Sequence, residues 1–463
     1  MILTLALRSL VARPVRSAVL AAGFGLGVSV MAALLGIGRV ILDQARTPAL
    51  VGGGDVIIGS STGRIGSAKF VLSSVLAKDS LGQRVKVAAP NVHANLYLID
   101  DRGAIAVVAR GGIPSLEREV GDPETSRAAG WGDTPADREW VAPDDAAVLR
   151  GMDRFHPIPD VPERARSWSE WLYFNGRKGA TRFYLTFLAG PMLASGDRTL
   201  NVRLQLERNG KLTSYSHSSL VTPEELASAP ELTAGRNTVR LIGSEYHIRI
   251  DLDSESGGPR ASGEVVVRAV SGHSLPPFTM RGARGWVSGY VVPVMSGWLG
   301  GAITIAGETI DLSGGTAYHD HNWGFWEGVR WQWGQVEGAG LSFVYGRVYP
   351  PADAADNTRL PGFLVALGPG GPVGYATDVT IEEIDDPSGA APHRIVVTGR
   401  GDSLTLTLDI AVDQVTSTRM APGSFGGGMN FLQLRGTYRA SGRAGDRQIE
   451  FTAPGSAETF RGR

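Results

Sequence analysis

Cysteine is absent from all 463 residues. That removes disulfides, thiolate metal sites and a cysteine nucleophile. It leaves the bacterial periplasm open, because a chain of this length buries enough core without covalent staples. A strong charge imbalance is missing too: the formal net charge is -1, so no basic field draws the chain to nucleic acid. There is no Gly-x-Ser-x-Gly elbow, and Gly272-His273-Ser274 falls in an expected loop, which leaves Ser-His-Asp hydrolase chemistry little support. Long apolar runs are scarce. Only one stretch, near the N-terminus, reaches the roughly 18 residues that a membrane helix needs.

That stretch, Ser17 to Gly38, carries no charge and is dominated by Val, Leu, Ala, Ile and Met. As a helix it rises about 33 Å, enough for a hydrocarbon core of roughly 30 Å. Arg8, Arg13 and Arg16 precede it, and Arg39 alone follows closely before Asp43. The bias places the N-terminus in the cytoplasm and the remainder in the periplasm, as a single-pass protein of the bacterial inner membrane. A cleaved signal peptide is the competing reading, but its apolar region usually spans about 7–15 residues and ends at a small-residue site. Asp43-Gln44-Ala45-Arg46-Thr47 offers no such site, which favours an uncleaved anchor.

Leu5-Ala6-Leu7-Arg8-Ser9-Leu10, Arg13-Pro14-Val15-Arg16 and Gly53-Gly54-Asp55-Val56-Ile57-Ile58 resemble the first helix of ABC-transporter permeases of the macrolide-exporter and lipoprotein-release type. The resemblance implies a periplasmic domain after that helix, and a permease as partner. The family's three later helices are missing, so the chain is not a permease by itself. Residues 44–150 read as a small α/β region and linker, with strands at Val85–Ala89 and Ala104–Ala109 and a helix over Val71–Leu81. Gly112-Ile113-Pro114 is placed on a loop, and Gly121–Asp145 reads as a long loop or linker.

From about residue 168 the pattern is strongly β. Apolar and polar residues alternate in Asn201–Glu207, His247–Leu252 and Leu404–Ile410, as antiparallel sheets with one buried face require. Asn209-Gly210, Gly257-Gly258-Pro259 and Gly370-Gly371-Pro372 mark turns, and the 62 glycines suit a protein rich in them. The fold class is therefore mainly β, with more than a dozen strands forming two antiparallel barrels or sandwiches. The expected division is an anchor over 1–43, the α/β region over 44–150, and β domains over 151–325 and 326–463.

The most unusual segment is Tyr318-His319-Asp320-His321-Asn322-Trp323-Gly324, followed by Trp326, Trp331 and Trp333. It concentrates two of the eight histidines around one carboxylate, amid four of the ten tryptophans. This motif, with Gly289–Val294 and Ile303–Glu308, resembles the bacterial carotenoid hydratases (hydroxyneurosporene synthases). Transport-associated lipocalin-like proteins, tocopherol cyclases and lipocalin-like Diels-Alderases are more distant. Trp168-Ser169-Glu170-Trp171-Leu172-Tyr173-Phe174 is similar to the family's first strand, with Leu172 in place of a second tryptophan. The resemblance spans about 150–463 and implies two lipocalin-like domains with apolar ligand space inside or between them.

Independently of the family, hydrating a C=C bond needs an acid strong enough to protonate carbon, stabilisation of the cation, and a water. Asp320 buried among tryptophans would keep its proton and act as the acid. Trp323, Trp331, Trp333 and Tyr345 offer π faces to a cation, and His319 or His321 can orient the carboxyl group or a water. Tyr318, Asn322, Trp326 and Trp171 complete the expected ligand-lining set, and Arg347 either anchors a polar end or packs its stem on an apolar face. A carboxylate between histidines also serves as a purely structural joint. His319 and His321 share a strand face and can hold an ion with Asp320 or His247, although two ligands fall short of a full set; no metal or cofactor is assigned. The leading expectation is a membrane-anchored binder of an apolar isoprenoid, carotenoid-like or lipid molecule, beside an ABC transporter. The rival is an acid-catalysed hydratase or cyclase, and the third is a ligand-free envelope scaffold with a filled β module.

Overall fold

The computed structural model describes residues 68–76, 84–100, 103–122, 130–141, 144–356, 360, 362–419 and 429–462, with isolated positions before residue 59. The expected anchor and the permease-like stretch lie outside these residues, apart from those isolated positions. Among the described residues no helix is long and apolar enough to cross a membrane. The chain divides into two compact units, 1–65 with 80–141 and 66–79 with 142–463.

In the first unit, β1 (Asn91–Asp100) and β2 (Gly103–Gly112) form an antiparallel hairpin. Ala104–Ala109 falls within β2. Residues 85–89, expected as a strand, join no ladder; pairing begins only beyond Pro90, which has no N–H to contribute. Ile113 is not on a loop but caps a helix (Pro114–Val120), where Pro114 sits in the first turn and its missing N–H costs nothing. The expected linker also contains a helix over Pro135–Val141.

The second unit includes two helices, α1 (Ala68–Leu76) and α2 (Asp145–Asp153). The first agrees with the expected helix from Val71 as far as Leu76. Asp144 caps α2 by accepting the Ala147 N–H, and Val148, Leu149 and Met152 form its buried stripe.

The first large sheet comprises β3 (Trp168–Lys178), β4 (Thr181–Met192), β5 (Arg198–Arg208), β6 (Lys211–Val221), β7 (Leu232–Ala234), β8 (Asn237–Ile242), β9 (Glu245–Ser254), β10 (Ala261–Arg268), β11 (Leu275–Arg281), β12 (Val287–Ile305), β13 (Glu308–Asp311) and β14 (Gly315–Phe325). Eight of these strands run in the order β10-β12-β14-β3-β4-β5-β6-β9, and β9 pairs back to β10, so the sheet closes into an antiparallel barrel. Its seam, between β6 and β9, is paired only at Tyr215–Ser254 and Ser216–Asp253. In β5 the alternation is plain: Leu200, Val202, Leu204 and Leu206 point into the barrel, while Arg203, Gln205 and Glu207 point out. The barrel interior is filled by such side chains, with Phe174, Phe183 and Phe187 fully buried. Asn209 and Gly210 both take positive φ, as the tight β5–β6 turn requires.

The second sheet comprises β15 (Arg330–Gly338), β16 (Leu341–Tyr349), β17 (Phe363–Gly368), β18 (Gly371–Ala376), β19 (Asp378–Asp385), β20 (Pro392–Arg400), β21 (Leu404–Arg419), β22 (Met429–Ala444) and β23 (Arg447–Gly462), in the order β18-β17-β16-β15-β23-β22-β21-β20-β19. It curls around its own core, and Arg347 Nη1 donates to the Val379 carbonyl at 2.9 Å, drawing β19 back toward β16. The outer faces of the two sheets meet in a joint. Its walls are odd-numbered side chains of β3 and β15 and even-numbered ones of β14 and β23.

Gly289 stands opposite Trp323 across the β12–β14 ladder, and a Cβ there would lie 2.0 Å from the indole. Gly289→Ala is expected to cost about 1–3 kcal/mol through overpacking. Gly190→Ala, where the added methyl makes only ordinary contact, should change stability by less than about 0.5 kcal/mol. Denaturant midpoints of the two variants check this; an unchanged midpoint for Gly289→Ala would show that the ring yields freely.

Candidate functional site

β14 is buried along nearly its whole length, with Thr316 the exception, and its two faces lead to different places. Even-numbered residues enter the joint. Tyr318 Oη donates to Asp320 Oδ2 at 2.9 Å, and Asn322 Nδ2 donates to Oδ1 at 2.7 Å. Because the Tyr318 proton is committed to Asp320, Tyr290 on β12 donates its own to Tyr318, at 2.5 Å. Trp333 Nε1 in turn donates to Tyr290 Oη at 3.0 Å. A directed chain of hydrogen bonds therefore runs from Trp333 through two phenols to the Asp320 carboxyl.

Across the joint, β23 brings in Glu458, which accepts from Tyr173 Oη at 2.8 Å and is also hydrogen-bonded by Gln433. Asp320 is buried and Glu458 partly buried, and neither forms an ion pair among the described residues. Burial raises the pKa of Asp320 well above its ordinary value, and the nearby charge of Glu458 adds to the effect. Burial likewise raises Glu458 from 4.5 to about 7, against the opposing hydrogen bonds of Tyr173 and Gln433. The buried phenols Tyr173, Tyr290 and Tyr318 are pushed well above 10 by burial first and the neighbouring carboxyls second.

The aromatic surroundings are close. Trp333 lies 5.2 Å from Tyr318 and 6.2 Å from Tyr173, and Trp331 lies 5.5 Å from Tyr290, centroid to centroid. Farther along the joint a cleft of about 50 Å³ is lined by Asn175, Tyr184, Thr316, Gln335 and Ser456, among others, but not by Asp320 or Glu458. That is room for water. A smaller space, about 10 Å³, lies among Tyr290, Trp331 and Phe363.

The odd-numbered residues of β14 face the other way, so His319 and His321 do not orient Asp320 as the sequence suggested. Strand alternation separates them from it. His319 stacks on Phe174 at 4.0 Å; its Nδ1 meets the Tyr173 carbonyl at 2.9 Å and its Nε2 meets Asp153 Oδ2 at 3.0 Å. Asp153, the last residue of α2, also accepts from Tyr246 Oη at 2.6 Å. His321 Nδ1 donates to the Met152 carbonyl at 3.0 Å, and Nε2 meets Glu170 Oε1 at 2.9 Å. His247, the other suggested partner of an ion, lies on the outer face between Glu245 and Glu264.

The remaining expected residues divide between places. Trp323 lies on the histidine side, stacked on His156 at 4.0 Å. Trp171 and Trp326 pack together at 4.6 Å, and Trp326 Nε1 donates to the Ser169 carbonyl. Tyr345 does not face the joint: it pairs with Gly334, and with Leu341 and Phe343 it points into the core of the second sheet. Arg347 holds β19 and lies over the Tyr349 ring at 5.0 Å. The sequence reading missed Glu458, Tyr173, Tyr290, Asp153, Glu170 and His156 as site residues. Only Tyr173 carried a usable signal, since it shares the odd face of β3 with Trp171.

Ionising Glu458 is harder in the folded chain than in the unfolded one. Its stabilising neutral form is complete below 4.5 and lost as pH rises through about 7. The cost above pH 7 is on the order of 3 kcal/mol. Glu458→Gln is therefore expected to raise the melting temperature at about pH 8 and to leave it nearly unchanged at about pH 4.5. Melting curves at the two pH values provide the check, and equal shifts at both would mean that Glu458 does not titrate as described.

No protein-family model and no curated protein matches the sequence. Among solved structures, the chain is similar to a protein designated AttH from Nitrosomonas europaea, at 15% identity and TM-score 0.44, over 66% of this chain and 99% of that one. It is also similar to CghA with Sch210972, at 14% identity and TM-score 0.44, over 69% and 95%. A third likeness is to kievitone hydratase from Nectria haematococca, at 11% identity and TM-score 0.42, over 66% and 95%.

Proposed function

We propose that the chain protonates a C=C bond of an apolar, isoprenoid-like molecule held at the joint between its two sheets, adding water or closing a ring. The observation that carries this reading is Asp320: a buried carboxyl whose pKa burial raises against the hydrogen bonds of Tyr318 and Asn322, walled by aromatic rings and lacking any cation partner among the described residues. A purely structural joint gains nothing from an uncompensated acid, whereas an acid catalyst needs one.

In the reaction the Asp320 proton adds to one alkene carbon, leaving a cation on the other. Trp333, Trp331 and the tyrosine rings face that charge, each worth about 2 kcal/mol when desolvated. Water then adds to the cation and returns one proton to the carboxylate, or an internal C=C captures it and the carboxylate takes back a proton from the new ring. The space among Tyr290, Trp331 and Phe363 is only about 10 Å³, so the aromatic walls must part to admit substrate to Asp320. The N-terminal run of the sequence would anchor this module at the periplasmic face of the inner membrane, where a permease partner and apolar substrates are both in reach.

A carrier without chemistry is the second reading. It is favoured by one observation: both Asp320 oxygens already have internal partners, as in an architectural network.

Mass spectrometry of organic extracts, after the full chain is incubated with acyclic carotenoids and other isoprenoids, separates the two. Wild type should yield a product heavier by one water, or an isomer from ring closure, and Asp320→Asn should reduce it by about 100-fold or more. Unchanged isoprenoid retained equally by both proteins would remove the acid role and leave the carrier; neither product nor retention would sink both.

A further inference from the structure

On the opposite face of β14, Glu170 Oε1 receives His156 Nδ1 at 2.8 Å and His321 Nε2 at 2.9 Å, and one donor atom from each of the three residues lies within 4.8 Å of the others. Two imidazoles and a carboxylate converging on one point are the donor set of a borderline divalent ion with a position left open. We propose that His156, Glu170 and His321 form a binding site for a divalent transition metal ion of the zinc type.

Three features beyond proximity support the assignment. The Met152 carbonyl accepts from His321 Nδ1, which orients the ring with Nε2 toward Glu170. A carbonyl behind the ring is the usual outer support of a metal-bound histidine. The rings are also held in place from outside the set: Trp323 stacks on His156 at 4.0 Å and Phe155 on His321 at 5.3 Å. Finally, there is a path for entry. Glu170 and His321 are fully buried, whereas the His156 side chain is 39% exposed and leads from solvent to the site.

The fit needs little movement. Ligands about 2.1 Å from a tetrahedral ion stand roughly 3.4 Å apart, so the present separations of 2.8 and 2.9 Å must open by about half an ångström. Turning the half-exposed His156 opens the first of these, and the second must open within the buried barrel wall. An ion here would tie the segment between α2 and β3 to the barrel wall. It differs from the grouping suggested by sequence, since Asp320 lies on the other side of the strand and His247 outside the barrel.

The test is cobalt(II) titration of the chelator-treated full chain, read by visible d–d absorption, with zinc(II) followed by calorimetry and by melting temperature. One equivalent should bind, with the bands of four- or five-coordinate cobalt, and zinc should raise the melting temperature. His156→Gln, at a half-exposed position and so expected to fold, should weaken binding by about tenfold or more. His247→Gln should leave it unchanged. No binding by wild type would overturn the proposal, and show that protons alone bridge the three side chains. Binding unaltered in His156→Gln would overturn it equally, by placing the ion elsewhere. Neither result depends on the acid chemistry at Asp320, because the readout is the ion itself.

Discussion

The constraint on which the rest depends is the two-residue period of a single strand. β14 belongs at once to the barrel wall and to the joint, so each residue along it must serve one side or the other. His319 and His321 serve the barrel side, where they meet Asp153 and Glu170; Tyr318, Asp320 and Asn322 serve the joint. Two polar systems of different chemistry are thereby kept apart by one thickness of backbone. The separation is electrostatic as well as spatial. Anionic groups on the histidine side have imidazoles to meet them, whereas the joint gathers carboxyls without cations and holds them toward neutrality.

Burying so many polar groups is tolerable only if their hydrogen bonds are made. On both faces they nearly are, and the arrangement is directional. Phenols donate to carboxyls, indoles donate to phenols and carbonyls, and helix α2 ends where its last residue can accept from Tyr246 and face His319. Among the exceptions, two sit at the joint: Gln205 Nε2 and Gln433 Oε1 are buried without partners. Both lie on the outward faces of their strands, beside the polar contacts that Glu207 and Arg435 make across the joint.

Much of the fold was legible in the sequence. Alternation in Asn201–Glu207, His247–Leu252 and Leu404–Ile410 marked real strands, and Asn209-Gly210 marked a real hairpin. The motif residues from Tyr318 to Trp323 do lie at the centre of the molecule's polar chemistry. What misled was grouping them by closeness in sequence, when a strand groups its residues by parity; the same rule that revealed the strand separates Asp320 from its flanking histidines. Glu458 could not be foreseen, because only the β15–β23 register carries it to the joint. His156 lay in a stretch with no periodic pattern, and its role depends on where the chain turns back after α2.

The barrel seam has a consequence of its own. In the ring of eight strands, the sparsely paired β6–β9 edge lies four ladders away from the β14–β3 ladder in either direction, diametrically across the barrel. A ring joined firmly everywhere except at one point behaves as a spring clip. It yields at the gap and stays rigid opposite it. Opening of the barrel is thus expected first along the unpaired remainder of the β6–β9 edge, while the strand pair that positions both polar systems holds its register. The weak closure isolates the working wall from the breathing of the rest.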